Sequence, residues 1–189
     1  MVEHSPRSPS ELRISVVLAV GNDEDRVGHQ IRSVAGHLRR LDLPFEILAV
    51  NDGSTDNSLS IATLLGASVP ELRVLGRNVA GRAFLRGASE ARGGVVVLLS
   101  AGRAVSLAPL GWALSRLAAG REVVILRGRY IVARRLMALP VIVRASGPGL
   151  LFESLFERRA QDLGIDIVGS RPRRPTPLLL RPVLRFLAA

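Results

Sequence analysis

The chain has 189 residues, no cysteine, and a formal net charge of +10 at pH 7. This length suits one domain with a buried core, and the lack of cysteine excludes disulfides, thiol nucleophiles and thiolate metal sites. Every basic residue is arginine, because the sequence contains no lysine, and this excludes lysine Schiff-base chemistry and a lysine-dependent phosphate loop.

Positive charge is concentrated in the second half of the chain. Residues 1–100 hold 11 arginines and 11 acidic residues, whereas residues 101–189 hold 15 arginines and 5 acidic residues. This imbalance predicts an anionic partner. The candidates are a diphosphate, a lipid phosphate, an acidic membrane face and a nucleic acid. A nucleic-acid-binding protein is the least favoured class, because aromatic residues make up only 4% of the chain and offer few surfaces for base stacking.

Strands and helices alternate through the first half of the sequence. Apolar runs predict strands at residues 14–20, 45–50, 72–75 and 95–99, and helical spacing of apolar residues predicts helices at 27–38, 59–65 and 82–91. Alternation of this kind indicates a parallel sheet with right-handed crossovers.

The second half is less regular. The pattern predicts a helix at 110–118, a strand at 123–126, a segment at 128–132 that pairs with this strand or crosses back, a helix at 152–163 and a last strand at 165–168. We therefore expect a single α/β domain over residues 13–170, built on a mainly parallel, Rossmann-like sheet sandwiched by helices.

Both ends of the chain differ from this pattern. Residues 1–12 are polar, which predicts a flexible tail without a secretion signal, and residues 171–189 form a Pro/Arg linker with a short apolar segment. We expect this segment to dock on its own domain or on a protein partner, with an anionic membrane face as the alternative. Since no apolar run approaches the roughly 20 residues that span a bilayer, the sequence predicts a soluble, cytoplasmic protein, either free or peripheral on the membrane.

Two of the predicted strands run directly into acidic turns. Asn22, Asp23 and Glu24 follow the first strand, and Asp52 and Gly53 follow the second. In an open α/β sheet, ligands bind outside the carboxyl ends of the strands, so Asp52 is expected to project into a crevice and to accept hydrogen bonds from a ribose hydroxyl or a base N–H. In the alternative interpretation, Asp52 and Asp56 only satisfy backbone groups of the turn.

The order of these segments resembles glycosyltransferase family 2 with the GT-A fold. The resemblance rests on residues 15–24, on residues 50–56 and on the pattern Asn78-x-x-Gly81 that leads to Gly93. Residues 149–168 with the following Arg171-Pro-Arg173 are most similar to the closing segment of the dolichol- or polyprenol-phosphate sugar transferases. In all, the resemblance covers roughly residues 13–174.

The resemblance implies a pocket for a nucleotide-diphosphate sugar. It places Asp52 at the base or ribose with Gly53 beside it, the turn at Asn22, Asp23 and Glu24 along the nucleotide, and Arg82 or Arg86 near the sugar or the diphosphate. The family holds a divalent cation with a D-x-D motif directly after the fourth strand, where this chain has Ser100-Ala101-Gly102. We therefore expect no metal ion and no other cofactor, with Ser100 contacting the donor.

Two further departures bear on catalysis. Gly21 stands where the family often has an aromatic residue near the base, and residues 123–152 contain no Asp or Glu that could act as a general base. The principal hypothesis is therefore a degenerate family member, without assigned catalytic residues, that binds a nucleotide sugar, a protein partner or a second copy of itself. The alternative is an active, metal-independent transferase in which Arg103, Arg127 or Arg129 neutralises the diphosphate and the acceptor is a polyprenyl phosphate or a glycan.

Overall fold

A computed structural model of the protein describes residues 13–76, 80–103, 105–145 and 152–169. The predicted tails at 1–12 and 171–189, and residues 149–151 and Asn78 of the family resemblance, lie outside the described residues. Within the described ranges, no helix combines the length and the apolar character that crossing a bilayer requires.

Strands and helices alternate from residue 14 to residue 126, as the sequence predicts, and the order then changes. They are β1 (Ile14–Val20), α1 (Glu24–Arg40), β2 (Phe45–Asn51), α2 (Ser58–Leu65), β3 (Leu72–Leu75), α3 (Ala83–Glu90), β4 (Val95–Ser100), α4 (Leu110–Ala118), β5 (Val123–Leu126), β6 (Tyr130–Arg134), α5 (Arg135–Ala145), α6 (Phe152–Asp162) and β7 (Ile167–Gly169).

All seven strands form one sheet in the order β3-β2-β1-β4-β6-β5-β7. Strands β1 to β4 are parallel, β6 is antiparallel to both β4 and β5, and β7 is parallel to β5. The predicted α/β class with a mainly parallel sheet is therefore confirmed. Because β1, β2 and β4 are parallel neighbours, the turns that follow them meet at one edge of the sheet.

Helices cover both faces of this sheet and create two cores. Residues of α1, α2 and α4 pack on one face, and residues of α3, α5 and α6 pack on the other. Alternate residues of β1 enter opposite cores, since Val16 and Leu18 belong to the first and Val17 to the second. A strand buried on both faces must be apolar throughout, which explains why the strands appear in the sequence as unbroken apolar runs.

The second half corrects three of the sequence expectations. The segment expected at 128–132 is β6, Tyr130–Arg134, which forms a hairpin with β5 and also pairs with β4. The last strand is Ile167–Gly169 rather than 165–168. Helix α5, Arg135–Ala145, was not predicted, because Pro140 and a nearly continuous apolar run conceal its helical spacing.

A buried carboxylate ties the amino-terminal ends of the central strands together. Glu46 Oε1 accepts hydrogen bonds from Ser15 Oγ (2.8 Å) and from the Arg92 N–H (2.7 Å), and Glu46 Oε2 accepts one from Arg73 (2.9 Å). Burial by itself would raise the pKa of Glu46, but the hydrogen bonds from Arg92, Ser15 and Arg73 outweigh it and lower this pKa. These contacts join β1, β2 and β3 to the turn before β4.

Replacing Glu46 with Gln is expected to destabilise the protein by about 1–3 kcal/mol, because an amide N–H₂ then faces the donors of Arg73. A carboxyl group whose pKa is lowered by folding stabilises the protein above its ordinary pKa of 4.5, and this contribution is lost as the pH falls through the native pKa. Urea denaturation of the parent and E46Q between pH 3 and 7 would measure both effects.

The matched control is Glu71→Gln, which removes the more exposed ion pair with Arg39. Its expected cost is about 0–1 kcal/mol, as is usual for exposed ion pairs. Equal costs for the two variants would contradict a special role for Glu46.

Candidate functional site

A cavity of about 290 Å³ opens at the carboxyl ends of β1, β2 and β4. Its wall combines acidic, basic, aromatic and aliphatic side chains from both halves of the chain. The lining residues are Ala19, Gly21, Asn22, Asp23, Asp52, Gly81, Ala83, Phe84, Leu98, Leu99, Ser100, Arg103, Arg129, Tyr130, Ile131, Phe152 and Glu153.

The turns after β1 and β2 are locked together by reciprocal hydrogen bonds. Asn22 Oδ1 accepts from the Thr55 N–H (2.8 Å), and Glu24 Oε2 accepts from the Asn57 N–H (3.1 Å). In return, Asp56 Oδ2 accepts from the Glu24 N–H (3.1 Å). Each side chain thus satisfies a backbone donor of the neighbouring turn, and this fixes one wall of the cavity.

Asp56 anchors the same junction from the β2 side. Its Oδ1 accepts hydrogen bonds from Ser54 Oγ (2.6 Å) and Ser58 Oγ (2.5 Å), and these two hydroxyls hold the pKa of Asp56 far below its ordinary value. The Ser58 hydroxyl also accepts from the Asp23 N–H (2.8 Å). Asp56 therefore stays ionised and serves the turn, as the alternative interpretation of these acids predicted.

Asp52 lines the cavity and also holds the loop between β3 and α3. Its Oδ1 accepts a hydrogen bond from the Gly81 N–H (2.7 Å). Gly53 follows with φ of +85°, a conformation that favours glycine, and a Cβ there would lie 3.1 Å from Ala80 Cβ. One carboxylate oxygen of Asp52 thus has a structural partner in the described structure.

Asp23 lies against the loop that follows β4. Its Oδ2 accepts from the Gly21 N–H (2.9 Å), and its Oδ1 lies 2.6 Å from the position that a Cβ would take at Gly102. The Arg26 guanidinium donates to the Gly102 carbonyl oxygen (3.1 Å). The start of α1 therefore holds this loop, and the Asp23 carboxylate occupies the space of a side chain at position 102.

Arg103 and Arg129 bring positive charge to the cavity. Among the residues that the structure describes, neither guanidinium pairs with a carboxylate. The charge of Arg129 is close enough to Tyr130 to oppose, in part, the rise that burial gives to the pKa of the Tyr130 hydroxyl. Arg127, the third arginine expected near a diphosphate, instead forms an ion pair with Glu157 and does not line the cavity.

Sequence reasoning did not identify Glu153, which lines the same cavity. Both of its carboxylate oxygens accept from the Gly128 N–H (3.2 and 3.0 Å), so the side chain is directed at the β5–β6 hairpin. Glu153 comes directly after the stretch 123–152, which holds no acidic residue. The detectable signal was an acid in the first turn of the predicted helix at 152–163.

Phe84 and Phe152 give the cavity an aromatic surface, with their ring centroids 4.5 Å apart. Phe84 comes from α3 and Phe152 from the start of α6. Gly21 leaves no ring at the position where the family often has one, and these two rings reach the cavity from other elements. Nothing in the spacing of Phe84 and Phe152 in the sequence indicates that they meet.

Four of the eight predicted site residues line the cavity: Asn22, Asp23, Asp52 and Ser100. The other four, Glu24, Gly53, Arg82 and Arg86, lie outside its wall. Arg82 is exposed at the start of α3. Arg86 donates to the Gly76 carbonyl oxygen and forms an ion pair with Glu90 (3.3 Å), which directs it away from the cavity.

Comparison with known proteins gives a consistent result. The sequence profile of glycosyl transferase family 2 matches residues 15–130, a range that contains all eight predicted site residues. A dolichyl-phosphate beta-glucosyltransferase from Trichomonas vaginalis is 29% identical over 108 residues, which cover 53% of this chain and 32% of that enzyme. The chain therefore spans about a third of the length of this curated relative.

Solved structures share the fold at low sequence identity. A mannosyltransferase from Pyrobaculum calidifontis, in complex with GDP-Man and Mn²⁺, superposes with a TM-score of 0.66 at 15% identity, over 89% of this chain and 57% of that chain. Glucosyl-3-phosphoglycerate synthase from Mycobacterium tuberculosis, in complex with UDP, gives 0.60 at 22% identity, over 92% and 78%. These similarities establish the shared GT-A architecture.

The contact between Asp23 and Gly102 is expected to couple two substitutions. Gly102→Ala alone forces the Asp23 carboxylate to move and should lower the free energy of unfolding by about 1–3 kcal/mol. In an Asp23→Ala background the same change should cost less, giving a coupling energy of about 0.5–3 kcal/mol in a double-mutant cycle measured by urea denaturation. Additive costs would contradict the contact.

Proposed function

Because the chain belongs to glycosyltransferase family 2, we propose that its cavity binds a nucleotide-diphosphate sugar. The observation that carries this proposal is the placement of Asp52, Arg103 and Arg129 around one cavity at the carboxyl ends of the parallel strands. Carboxylates accept hydrogen bonds from ribose hydroxyls and base N–H groups, and guanidinium groups bind phosphate oxygens through parallel hydrogen bonds.

The rest of the lining supports the same class of ligand. Asn22, Asp23 and Ser100 supply polar groups, and Phe84 and Phe152 supply an aromatic surface. Stacking of a base on an aromatic ring contributes about 1–3 kcal/mol in single-stranded nucleic-acid complexes, so these rings are suited to bind a base or a sugar face. The solved relatives bound to GDP-Man and to UDP support a nucleoside diphosphate in particular.

Donor binding is compatible with two outcomes. In the principal hypothesis the chain binds the donor without transferring its sugar, because position 100–102 lacks the acidic pair that the family uses. The second candidate is a transferase, and the specific observation that favours it is the Glu153 carboxylate in the cavity. In that reaction an acceptor oxygen attacks the anomeric carbon and the bond to the diphosphate breaks. Where the acceptor is a glycan hydroxyl, Glu153 takes its proton, whereas the oxygen of a phosphate acceptor is already ionised and needs no base.

The acceptor and the partners follow from weaker observations. The similarity to a dolichyl-phosphate beta-glucosyltransferase supports a polyprenyl phosphate as acceptor, with a glycan as the alternative. Docking of residues 171–189 on a protein partner, on a second copy or on an anionic membrane face stays a prediction, since those residues lie outside the described ranges. The nucleic-acid alternative gains no support from the family assignment.

The first test concerns Asp52 and uses isothermal titration calorimetry with UDP and GDP. Asp52→Asn keeps an oxygen that can accept from the Gly81 N–H but removes the charge, so we expect affinity for the preferred nucleotide to fall by about tenfold or more. Asp162→Asn, an exposed change on α6, is the control and should bind like the parent. Unchanged binding by D52N would exclude the proposed contact with the donor.

The second test distinguishes binding from transfer through the release of UDP or GDP from sugar donors with polyprenyl-phosphate and glycan acceptors. If the chain is a transferase that uses a glycan hydroxyl, Glu153→Gln should lower the rate by roughly 10²–10⁴-fold while donor affinity stays unchanged. If it is degenerate, the parent should bind the donor and release no nucleotide. Turnover that E153Q leaves intact would remove Glu153 as the base.

A further inference from the structure

We propose that Arg103 and Arg129 bind the diphosphate of the donor in place of a divalent cation, so that binding is independent of metal ions. This inference rests on the proposed function and concerns the same cavity. It follows from three features of the described residues: a donor set that does not suit a divalent cation, a loop that presents Arg103, and a hairpin that presents Arg129.

The side chains at the end of β4 do not suit a hard cation. Divalent ions such as Mg²⁺ and Mn²⁺ are held through carboxylate and other oxygen ligands, but Ser100, Ala101 and Gly102 offer only one hydroxyl. Within the described ranges, no group of three His, Cys, Asp or Glu side chains is arranged to hold a metal ion.

The three acidic residues that line the cavity, Asp23, Asp52 and Glu153, each accept a hydrogen bond from a backbone N–H. Asp23 Oδ2 accepts from the Gly21 N–H (2.9 Å), and Asp52 Oδ1 accepts from the Gly81 N–H (2.7 Å). The Asp23 carboxylate also occupies the space beside Gly102, at 2.6 Å from a Cβ built there. A side chain at position 102 would therefore require the Asp23 carboxylate to move.

The same loop presents Arg103 from a fixed position. The Ala101 N–H donates to the Ala19 carbonyl oxygen (2.9 Å), which continues the pairing of β4 with β1. One residue later, the Arg26 guanidinium donates to the Gly102 carbonyl oxygen (3.1 Å). Arg26 is thus a positioning residue for the loop, whereas the neighbouring Arg103 side chain lines the cavity.

Arg129 is presented by the turn between β5 and β6. Gly128 adopts φ of +70°, which allows the tight turn, and its N–H donates to Glu153 Oε2 (3.0 Å). The Arg129 N–H donates to the Leu126 carbonyl oxygen (2.8 Å), which closes the hairpin. Hydrogen bonds therefore hold both ends of this turn, and Arg129 extends from it to line the cavity.

Arg103 and Arg129 are the two arginines in the wall of the cavity among the described residues. Arg127 is paired with Glu157, and Arg26 donates to a carbonyl oxygen, but in the described structure Arg103 and Arg129 have no carboxylate partner. Two guanidinium groups carry two positive charges and present forked N–H donors that match phosphate oxygens. They therefore supply the charge that a divalent cation would otherwise bring to the diphosphate.

The test measures calorimetric binding of UDP, GDP, uridine and guanosine in EDTA and in Mn²⁺. For the parent we expect UDP or GDP to bind with the same affinity, within about twofold, in both buffers. Arg103→Met and Arg129→Met should each weaken diphosphate binding by about tenfold or more while leaving binding of the matching nucleoside unchanged. Arg32→Met, an exposed change on α1, is the matched control.

Each result decides the inference and separates it from the proposed function. If UDP or GDP binds only in the presence of Mn²⁺, the inference is overturned but the nucleotide site is retained. The same holds if both arginine variants bind the diphosphate as tightly as the parent. Absence of binding by either nucleotide in both buffers overturns the inference and the proposed function together. Thermal unfolding of each variant is expected to match the parent, which shows that lost affinity reports on the missing guanidinium rather than on misfolding.

Discussion

The interlock between the turns after β1 and β2 is the constraint on which the site depends. Asn22, Glu24 and Asp56 each use a side-chain oxygen to satisfy a backbone N–H of the opposite turn. A turn at the edge of a sheet has backbone donors that the strand ladder no longer satisfies, and leaving them unpaired is costly. Their mutual satisfaction holds the ends of β1 and β2 in register and keeps Asp23 and Asp52 at the cavity.

The hydrogen bonds between these turns determine the roles of several acidic residues. A carboxylate near a ligand crevice can bind the ligand, position another group or satisfy the backbone, and the sequence alone does not separate these roles. Here Asp56 and Glu24 serve the backbone, Asp52 lines the cavity while it holds the Gly81 N–H, and Asp23 fills the space beside Gly102. The acidic side chains that line the cavity therefore accept hydrogen bonds from backbone N–H groups, and Arg103 and Arg129 bring positive charge to the same cavity.

The charged residues of the cavity differ from the pattern of the family at the end of β4. Family 2 membership fixes the sheet and the position of the cavity, and a diphosphate bound there needs compensating positive charge. Residues 100–102 offer no side-chain cation ligand beyond the Ser100 hydroxyl, but Arg103 follows them, and the β5–β6 turn adds Arg129. The arginine excess of the second half thus includes two groups placed where an anion would bind.

The sequence by itself determined the α/β class, the succession of the first four strands along the chain, and the acidic turns that follow β1 and β2. It could do so because apolar periodicity and turn residues are local properties that survive without tertiary context. It did not reveal α5, whose spacing Pro140 and the continuous apolar run conceal, and it placed the start of the last strand two positions too early and its end one position too early.

Only the tertiary structure decided which side chains share the cavity. Glu153 and Phe152 reach it from α6, Phe84 meets Phe152, and Arg86 is drawn away to Glu90 and the Gly76 carbonyl oxygen. These outcomes depend on contacts between residues far apart in the chain and on competition between hydrogen-bond partners, and neither leaves a periodic signal in the sequence. The carboxyl ends of the predicted strands therefore indicated at which edge of the sheet the site forms. Packing between the helices determined which side chains line it.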